Sequence, residues 1–589
     1  MSDGGEPQVR ASRPRASVFV QANAGSGKTS TLVKRVARLL LDGARPEAIL
    51  CVTYTKAAAA EMQRRLFDTL GEWAVARDGA LRAILAALEE DGRELSKARA
   101  LFARALETPG GLKIQTVHAF CEKLLRRFPL EAGVTPGFKV LDDVAAAEVS
   151  ARAREEVAAL AMAQPEGPVG AAYAHFSVAL HWDGFNAMFA AFEARRAAIA
   201  AHVEACEGSG GYVRHAWRLC GFGQPASLEE IESDALSGLR FRWSDWTRAA
   251  EALLESESVR DQELGAAMRA VSLASSFAVV SAPFFTNAGE PRAQLGTNGV
   301  DRRVKAWLAE EQARHIETRR RLAAATVARD TVHALTLARA YAALYDGEKS
   351  ARGALDFSDL IDRAAALLGE RADAAWVLYK LDGGLSHILI DEAQDTAPEQ
   401  WDLMRALTEE FFTGLGSSPT PRTVFAVGDE KQSIFSFQGA RPERLAVETQ
   451  RFGEIAGAAG MKFEEVKLLE SWRSAPEILR FVDAVFDDPA ARAGLSPAAG
   501  GGIETFPPHH IARRAPGGCV ELWPLEVNLP GEEPDVWAPV DAEPPTSAVK
   551  LLAGRLARAI VALVARGDGV RDRDTGEMRP CEFGDVLIL

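Results

Sequence analysis

At 589 residues the chain is too long for one ordinary core and should divide into about three or four lobes. Its 47% hydrophobic and 25% charged residues are those of a globular protein, and no run is long and apolar enough to cross a bilayer. The net charge of −14 excludes binding to polyanions through the whole surface but leaves a local basic stripe open. Arg10, Arg13 and Arg15 near the start precede only the short run Val18-Phe19-Val20, too brief for a signal-peptide core, so a cytoplasmic protein is expected. The six cysteines (Cys51, Cys121, Cys206, Cys220, Cys519, Cys581) form no CxxC pair and have no His-rich partner segment. Scattered reduced thiols are expected, and a zinc or iron–sulfur site is not.

In chain order, short β-rich runs recur at Ser17–Gln21, Ile49–Thr53, Lys113–Thr116, His387–Ile390, Thr423–Val427 and Glu465–Leu469. Helical patterns separate many of them, the arrangement of a parallel α/β sheet whose ligands lie beyond the carboxyl ends of its strands. From about residue 141 to 350 the texture changes to Ala- and Arg-rich helical stretches such as Ala145–Ala161 and Thr318–Leu344, which read as a helical domain inserted into the α/β domain. Its aromatics Trp182, Phe185, Phe189, Trp217, Trp243 and Trp246 are expected to be helix-packing core in the first instance. The α/β pattern resumes near Leu355-Asp356-Phe357. After Ser474 it loosens into the Pro-, Gly- and Ala-rich stretches 498–502 and 507–518 and the acidic, Pro-rich stretch 529–547, around a second domain that has barely begun. The expected domains are therefore 1–140 and 351–475 as two parts of one α/β nucleotide-binding domain, 141–350 as the insertion, and 476–589 as the start of another.

The strongest local signal is Ala22-Asn23-Ala24-Gly25-Ser26-Gly27-Lys28-Thr29, between the strand Ser17–Gln21 and the helical pattern Ser30–Leu41. Small residues let backbone N–H groups close around phosphate oxygens at the positive end of the next helix, the context a P-loop requires. Lys28 would neutralise the β- and γ-phosphates and Thr29 would ligate Mg²⁺, with Ser30 and Arg35 on the same helix assigned to the nucleotide as well. The partner is His387-Ile388-Leu389-Ile390-Asp391-Glu392-Ala393-Gln394-Asp395. Its apolar strand delivers Asp391 to hold Mg²⁺ and Glu392 to orient and deprotonate a water. Adjacent carboxylates at the end of a buried strand are costly unless a cation compensates them. Two later segments add Gln432, able to reach a γ-phosphate, and Arg473, a charge clamp for a transferring phosphoryl group. Composition and motifs together point to Mg-ATP as the ligand.

These segments resemble, in order, the motifs of UvrD- and RecB-type superfamily-1 helicases, across residues 8 to 480. Gln8 matches the adenine-reading glutamine and Ala22–Thr29 motif I. Thr53-Tyr54-Thr55-Lys56 through Glu61-Met62 resembles motif Ia, and Thr116-Val117-His118-Ala119-Phe120 motif Ib. Leu355–Leu360 resembles the segment leading out of the helical insert. Asp391–Thr396 matches motif II, Gly428–Gly439 motif III and Ser471–Ser474 motif IV. Motif II carries Ala393 where repair and replication helicases usually have an aromatic, a variant similar to the AddA subunits of double-strand-break repair helicase–nucleases. Position 57 is Ala where many relatives have Lys, and Phe437 stands where many have Trp.

The resemblance implies a RecA-like P-loop NTPase domain with a parallel sheet, a large all-helical insertion and the start of a second RecA-like domain. It implies an ATP-dependent 3′→5′ translocase on single-stranded DNA, working at duplex ends, with no membrane and with an AddB-like protein as its partner. Tyr54, Phe435 and Phe437 would stack on bases, and Thr53, Thr116 and His118 would contact the DNA backbone. Stacking suits a motor that steps along any sequence, because every base offers a π-face. The chain ends in the apolar run Val586-Leu587-Ile588-Leu589, which resembles the opening of a strand in the second lobe. The later motifs and a nuclease domain find no counterpart, so the chain reads as an N-terminal half that alone would turn over weakly. The alternatives are a nucleotide- or DNA-binding module without turnover, and a RecB- or UvrD-type helicase of another subgroup.

Overall fold

The computed structural model describes residues 6–589 except 93, 209, 239, 370–375, 379, 381–383, 413–420, 434–438, 494–510, 513–516, 531–543 and 573–576. By its contacts the chain forms two units. Met1–Ala22 and Gly27–Leu468 make the first, and Asn23–Ser26 and Leu469–Leu589 the second. Among the described residues no helix is long and apolar enough to cross a membrane.

The first unit is built on β1 (Ser17–Ala22), β2 (Ile49–Thr53), β3 (Lys113–Thr116), β4 (Lys139–Val140), β5 (Ala354–Leu355), β6 (His387–Ile390), β7 (Thr423–Gly428) and β8 (Phe463–Leu468). Six of these form one sheet in the order β3-β2-β6-β7-β1-β8, with every pairing parallel. Burial follows the two-residue period of a strand. Val18 and Val20 of β1, Leu389 of β6, and Phe425 and Val427 of β7 face one apolar cluster; Phe19, Ile388, Ile390, Val424 and Ala426 face the other. Both faces are covered, which is why these strands read as continuous hydrophobic runs. Helices Lys28–Asp42 and Lys56–Val75 pack on the first face; Val117–Arg127, Phe357–Gly369 and Pro398–Thr408 pack on the second.

The stretch from Asp143 to Ala351 is helical apart from its turns. Its last helix, Arg302–Ala351, has 50 residues and so runs about 75 Å. Three apolar clusters lie along it, one at Leu308, one at Ala325 and Ala328, and one at Leu337, Tyr341 and Tyr345. Most insert aromatics are the expected core. Phe189, Trp217 and Trp246 are buried, and Phe185 and Trp243 pack against the clusters, whereas Trp182 is 77% exposed. The two ends of the insertion are closed by the short parallel ladder of β4 with β5. A buried charge cluster sits beside it. Lys349 Nζ is 2.9 Å from Asp356 and 2.6 Å from Asp359, and Arg196 reaches Asp359 at 2.9 Å.

In the second unit Glu470–Ser471 pairs in parallel with Ile511–Ala512, and Gly569–Arg571 pairs antiparallel with Met578–Pro580. Helices Pro476–Asp487 and Ala548–Arg566 complete its regular elements, with the short helix Pro489–Ala493. The expected terminal strand does not form. Val586–Leu589 are extended but unpaired among the described residues, since a strand exists only where a neighbour takes its peptide hydrogen bonds.

One buried polar cluster beneath the sheet sets a pH dependence. Thr423 Oγ1 accepts from Arg35 Nη2 at 3.1 Å and lies 2.8 Å from His387 Nδ1. Burial, reinforced by the Arg35 charge, lowers His387 from its ordinary 6.5 to about 4. Between those values the unfolded chain takes up a proton that the folded chain refuses, so stability falls as pH drops from 6.5 toward 4. The slope from this residue is about 1.4 kcal/mol per pH unit at most. Urea unfolding of wild type and His387→Asn between these limits should give a flatter pH profile for the variant, and parallel profiles would contradict the assignment.

Candidate active site

The sheet order makes β6, β7 and β1 consecutive neighbours, so their carboxyl ends emerge side by side although β1 and β6 are far apart in sequence. At the end of β1 the chain turns through Gly25 and Gly27, with φ of +74° and +87°, values that a side chain would strain. Gly27 then caps the helix that opens at Lys28, two residues earlier than the periodicity suggests. Free N–H groups and the positive end of that 15-residue helix face the turn. A Cβ on Gly27 would stand 3.1 Å from Gln8 Nε2, so the expected adenine-reading glutamine lies against the loop, and its Oε1 is 3.5 Å from Lys34 Nζ. Ala22 is buried as the last residue of β1, Lys28 and Thr29 are half-buried, and Ser30 is exposed on the helix.

At the end of β6, Asp391 still donates its N–H to Val52 at 2.9 Å, and the chain then swings to φ +48° at Glu392. A left-handed glutamate is uncommon, and such outliers persist only where surrounding contacts hold them. Here the contacts are polar. Lys28 Nζ donates to Glu392 Oε2 at 2.6 Å. Gln394 Nε2 donates to the same oxygen at 2.8 Å and to Asp395 Oδ2 at 3.2 Å. The other end of Gln394 accepts the Asp429 N–H at 2.9 Å, just past β7. Asp429 in turn accepts from the Gln432 side chain and pairs with Lys431 at 3.2 Å. One connected network therefore joins Lys28, Glu392, Gln394, Asp429 and Gln432 across three strand ends.

Charge in this network is unbalanced. Asp391 is 7% exposed, and burial followed by the neighbouring Glu392 charge pushes it up to about 6, with Lys28 opposing. Burial likewise raises Asp395. A half-desolvated carboxylate pair with hard oxygen donors is the environment a divalent cation stabilises. The cradle at Gly27, the helix N-terminus, Lys28, Thr29 and Asp391 together fit a magnesium–triphosphate. Thr53, Tyr54, Asp391, Glu392, Thr396 and Gln400 line one cleft, which connects the carboxylates to the end of β2.

Other expected residues fare differently. Arg35 is corrected: it is fully buried, and its guanidinium donates to the carbonyls of Ala11, Arg13 and Ala16 and lies over Phe425. All of its reach is spent inside the first unit's core, so it is a structural arginine and not a nucleotide contact. Thr53 and Thr116 are also buried, and their hydroxyls serve the chain. Thr53 donates to the Thr55 carbonyl at 3.1 Å, while Thr116 accepts from Ala119 N–H at 3.2 Å as the cap of Val117–Arg127. Tyr54 is half-buried, and burial with the Asp395 charge raises its hydroxyl. His118, lowered by burial, makes an edge contact with Phe357 at 5.2 Å. Phe435 and Phe437 lie outside the described residues.

Sequence reasoning assigns Gln394, Asp395, Asp429 and Phe357 no role. Gln394 and Asp395 stand within a motif already recognised, but which partners a glutamine bridges is fixed only by the strand order. Within the second unit, the Trp472 N–H donates to the Gly25 carbonyl at 2.8 Å, and a Cβ on Gly25 would come within 2.6 Å of Arg473 Cβ. Gly25 and Arg473 are therefore direct neighbours, with Asn23, Ala24 and Ser26 on the same bend.

Comparison with known proteins bears on this architecture. The chain is 24% identical to AddA, the ATP-dependent helicase/nuclease protein of Latilactobacillus sakei, over 97% of its own length and 64% of that protein's. It is 28% identical to the protein of the same name from Desulforudis audaxviator, over 82% of this chain and 39% of the relative. With that of Pelotomaculum thermopropionicum it shares 27% identity over 97% of this chain and 47% of the relative. The chain thus spans between 39% and 64% of the length of these relatives. The UvrD/REP helicase N-terminal domain model matches residues 5–453, which cover the P-loop, the helical insertion and the carboxylate strand. With a six-stranded parallel sheet of RecA-like type carrying a helical insertion, this chain belongs to the UvrD/REP helicase family.

Proposed function

We propose that this chain is the motor portion of an AddA-type helicase, hydrolysing Mg-ATP to move 3′→5′ along single-stranded DNA during double-strand-break repair. The observation that carries the reading is the Lys28–Glu392 contact of 2.6 Å, which joins the phosphate loop to the carboxylate strand. The AddA relatives, named as ATP-dependent helicase/nucleases, support the subgroup. An AddB-like partner and duplex DNA ends as substrate rest on the same likeness. Residues up to 140 and from 351 to 475 are assigned to the RecA-like domain, residues 141–350 to the insertion, and residues 476–589 to the start of a second RecA-like domain.

A bound magnesium–triphosphate supplies the electrophilic phosphorus and the cation that offsets its charge. Lys28 is held ready by Glu392 and exchanges that carboxylate for phosphate oxygens. Glu392, released from the ammonium, takes the proton of the attacking water at Oε2. Asp391 and Thr29 hold the cation, and Gln8 reads the base. Gln432, fixed on Asp429, and Gln394 tie the end of β7 to Glu392, so the position of one strand end bears on the base. Arg473 is assigned to the spreading phosphoryl charge. Tyr54 and His118, with Phe357 beside it, offer the aromatic surface for DNA, together with Phe435 and Phe437.

Glu392→Gln should keep nucleotide binding and lose about 10²–10⁴-fold of DNA-stimulated ATP hydrolysis, the usual worth of a positioned base. Lys28→Ala should lose nucleotide binding itself, measured with a fluorescent ATP analogue. Wild-type turnover in Glu392→Gln would remove the assigned base, and blocking of end-labelled strands at the wrong terminus would remove the 3′→5′ polarity.

A second prediction concerns the network. A Cβ at Gly428 would stand 2.6 Å from Gln394 Oε1 and 2.9 Å from Leu445 Cδ2. Gly428→Ala should displace Gln394, cost about 1–3 kcal/mol of stability through overpacking, and lower turnover while leaving nucleotide affinity intact. Combining it with Gln394→Ala should restore part of the stability; strictly additive losses would show that the two groups are uncoupled.

A further inference from the structure

The cysteine spacing argues against a metal site, yet the helical insertion gathers one from residues that no short motif contains. His202 and Cys206 lie four apart on the helix Arg196–Glu207, which places them on one face. The chain then turns back into the helix Gly211–Leu219, and this brings His215 opposite them. The ligand-capable nitrogens and the sulfur of these three residues all lie within 4.8 Å of one another. His202 Nε2 is already 3.6 Å from Cys206 Sγ. The two imidazoles meet edge to face at 5.6 Å between ring centres.

Those separations match a coordination shell. A tetrahedral zinc ion with ordinary bond lengths sets its sulfur and nitrogen ligands about 3.5 Å apart and its nitrogens about 3.3 Å apart. The His202–Cys206 edge is formed, and a small rotation of the His215 ring closes the rest. Cys206 is 3% exposed, His215 is half-buried and His202 is exposed, so the thiolate sits on the protein side and the open position on the solvent side. Arg218 Nη2 lies 3.4 Å from His215 Nδ1, which leaves Nε2 as the coordinating nitrogen of that ring. Two imidazoles with one thiolate select a borderline-soft ion over magnesium or calcium.

We propose that His202, Cys206 and His215 bind one zinc-class divalent ion, with water in the fourth position, and that the ion staples these two helices together. Binding forms the Cys206 sulfur–metal bond and releases the thiol proton to solvent. The site stands apart from the ATPase reading, because none of the three residues belongs to the P-loop network.

Cobalt(II) is the probe, since a thiolate ligand gives it a charge-transfer band and tetrahedral geometry gives intense visible bands. Titration of the reduced, metal-stripped protein should produce both spectra with one equivalent bound, and zinc should then displace the cobalt. Zinc should also raise the thermal unfolding midpoint. The near-isosteric Cys206→Ser should lose the charge-transfer band and the thermal shift. His202→Ala, at an exposed position where folding is not at stake, should weaken binding. Cys519→Ser, which removes the exposed thiol, should bind as wild type. Cobalt bound without a thiolate band, as a hard-oxygen site such as Asp391 would give, overturns the proposal. So does a band that survives Cys206→Ser.

Discussion

The candidate site depends on one constraint: parallel strands that are neighbours in the sheet must end on the same edge. Lys28 and Glu392 are 364 positions apart, and only the β6-β7-β1 adjacency lets their side chains meet at 2.6 Å. The chain between them includes the whole helical insertion, which costs the sheet little. Loop-closure entropy grows only slowly with length, and the β4–β5 ladder with the Lys349–Asp356–Asp359 cluster holds the two ends of the insertion together. A large domain can therefore hang from the sheet without moving the strand ends that carry the chemistry.

Around that ion pair the structure accepts unfavourable terms. Glu392 is held in a left-handed conformation, Asp391 is buried beside another carboxylate, and Gln394 is wedged where Gly428 leaves no room for a side chain. Each is tolerable because its hydrogen bonds are made within one network, and such a network resists partial loss more than its separate bonds suggest. The same features make the site responsive. An anion that draws Lys28 away frees the Glu392 carboxylate, and the Gln394 bridge carries that change to Asp429 and Gln432.

Much of this is legible in the order of residues alone. Apolar runs followed by polar residues locate all six strands of the main sheet, three of them with the observed limits, because burial on both faces leaves a strong hydrophobic signature. Glu465–Leu469 proves to be Phe463–Leu468, since a strand on the sheet edge with exposed Glu465 and Lys467 has weak patterning. Arg35 misleads because a cation on the P-loop helix suggests phosphate. Its buried partners are carbonyls of residues 11 to 16, whose position no local pattern reveals. Val586–Leu589 have strand composition but no partner, and composition alone does not supply one. His202, Cys206 and His215 escape notice because their grouping depends on how two helices pack rather than on spacing in the chain.

The 50-residue helix Arg302–Ala351 carries a further consequence. Leu308, Ala325 and Tyr341 each dock a different apolar cluster from the same continuous rod. Deleting one residue midway would rotate everything downstream by about 100°, swinging Leu337, Tyr341 and Tyr345 off their cluster while Leu308 stayed in place. Evolution can substitute side chains along this rod but cannot change its length by single steps, so relatives should vary in length at the turns between the shorter helices and hold this span constant.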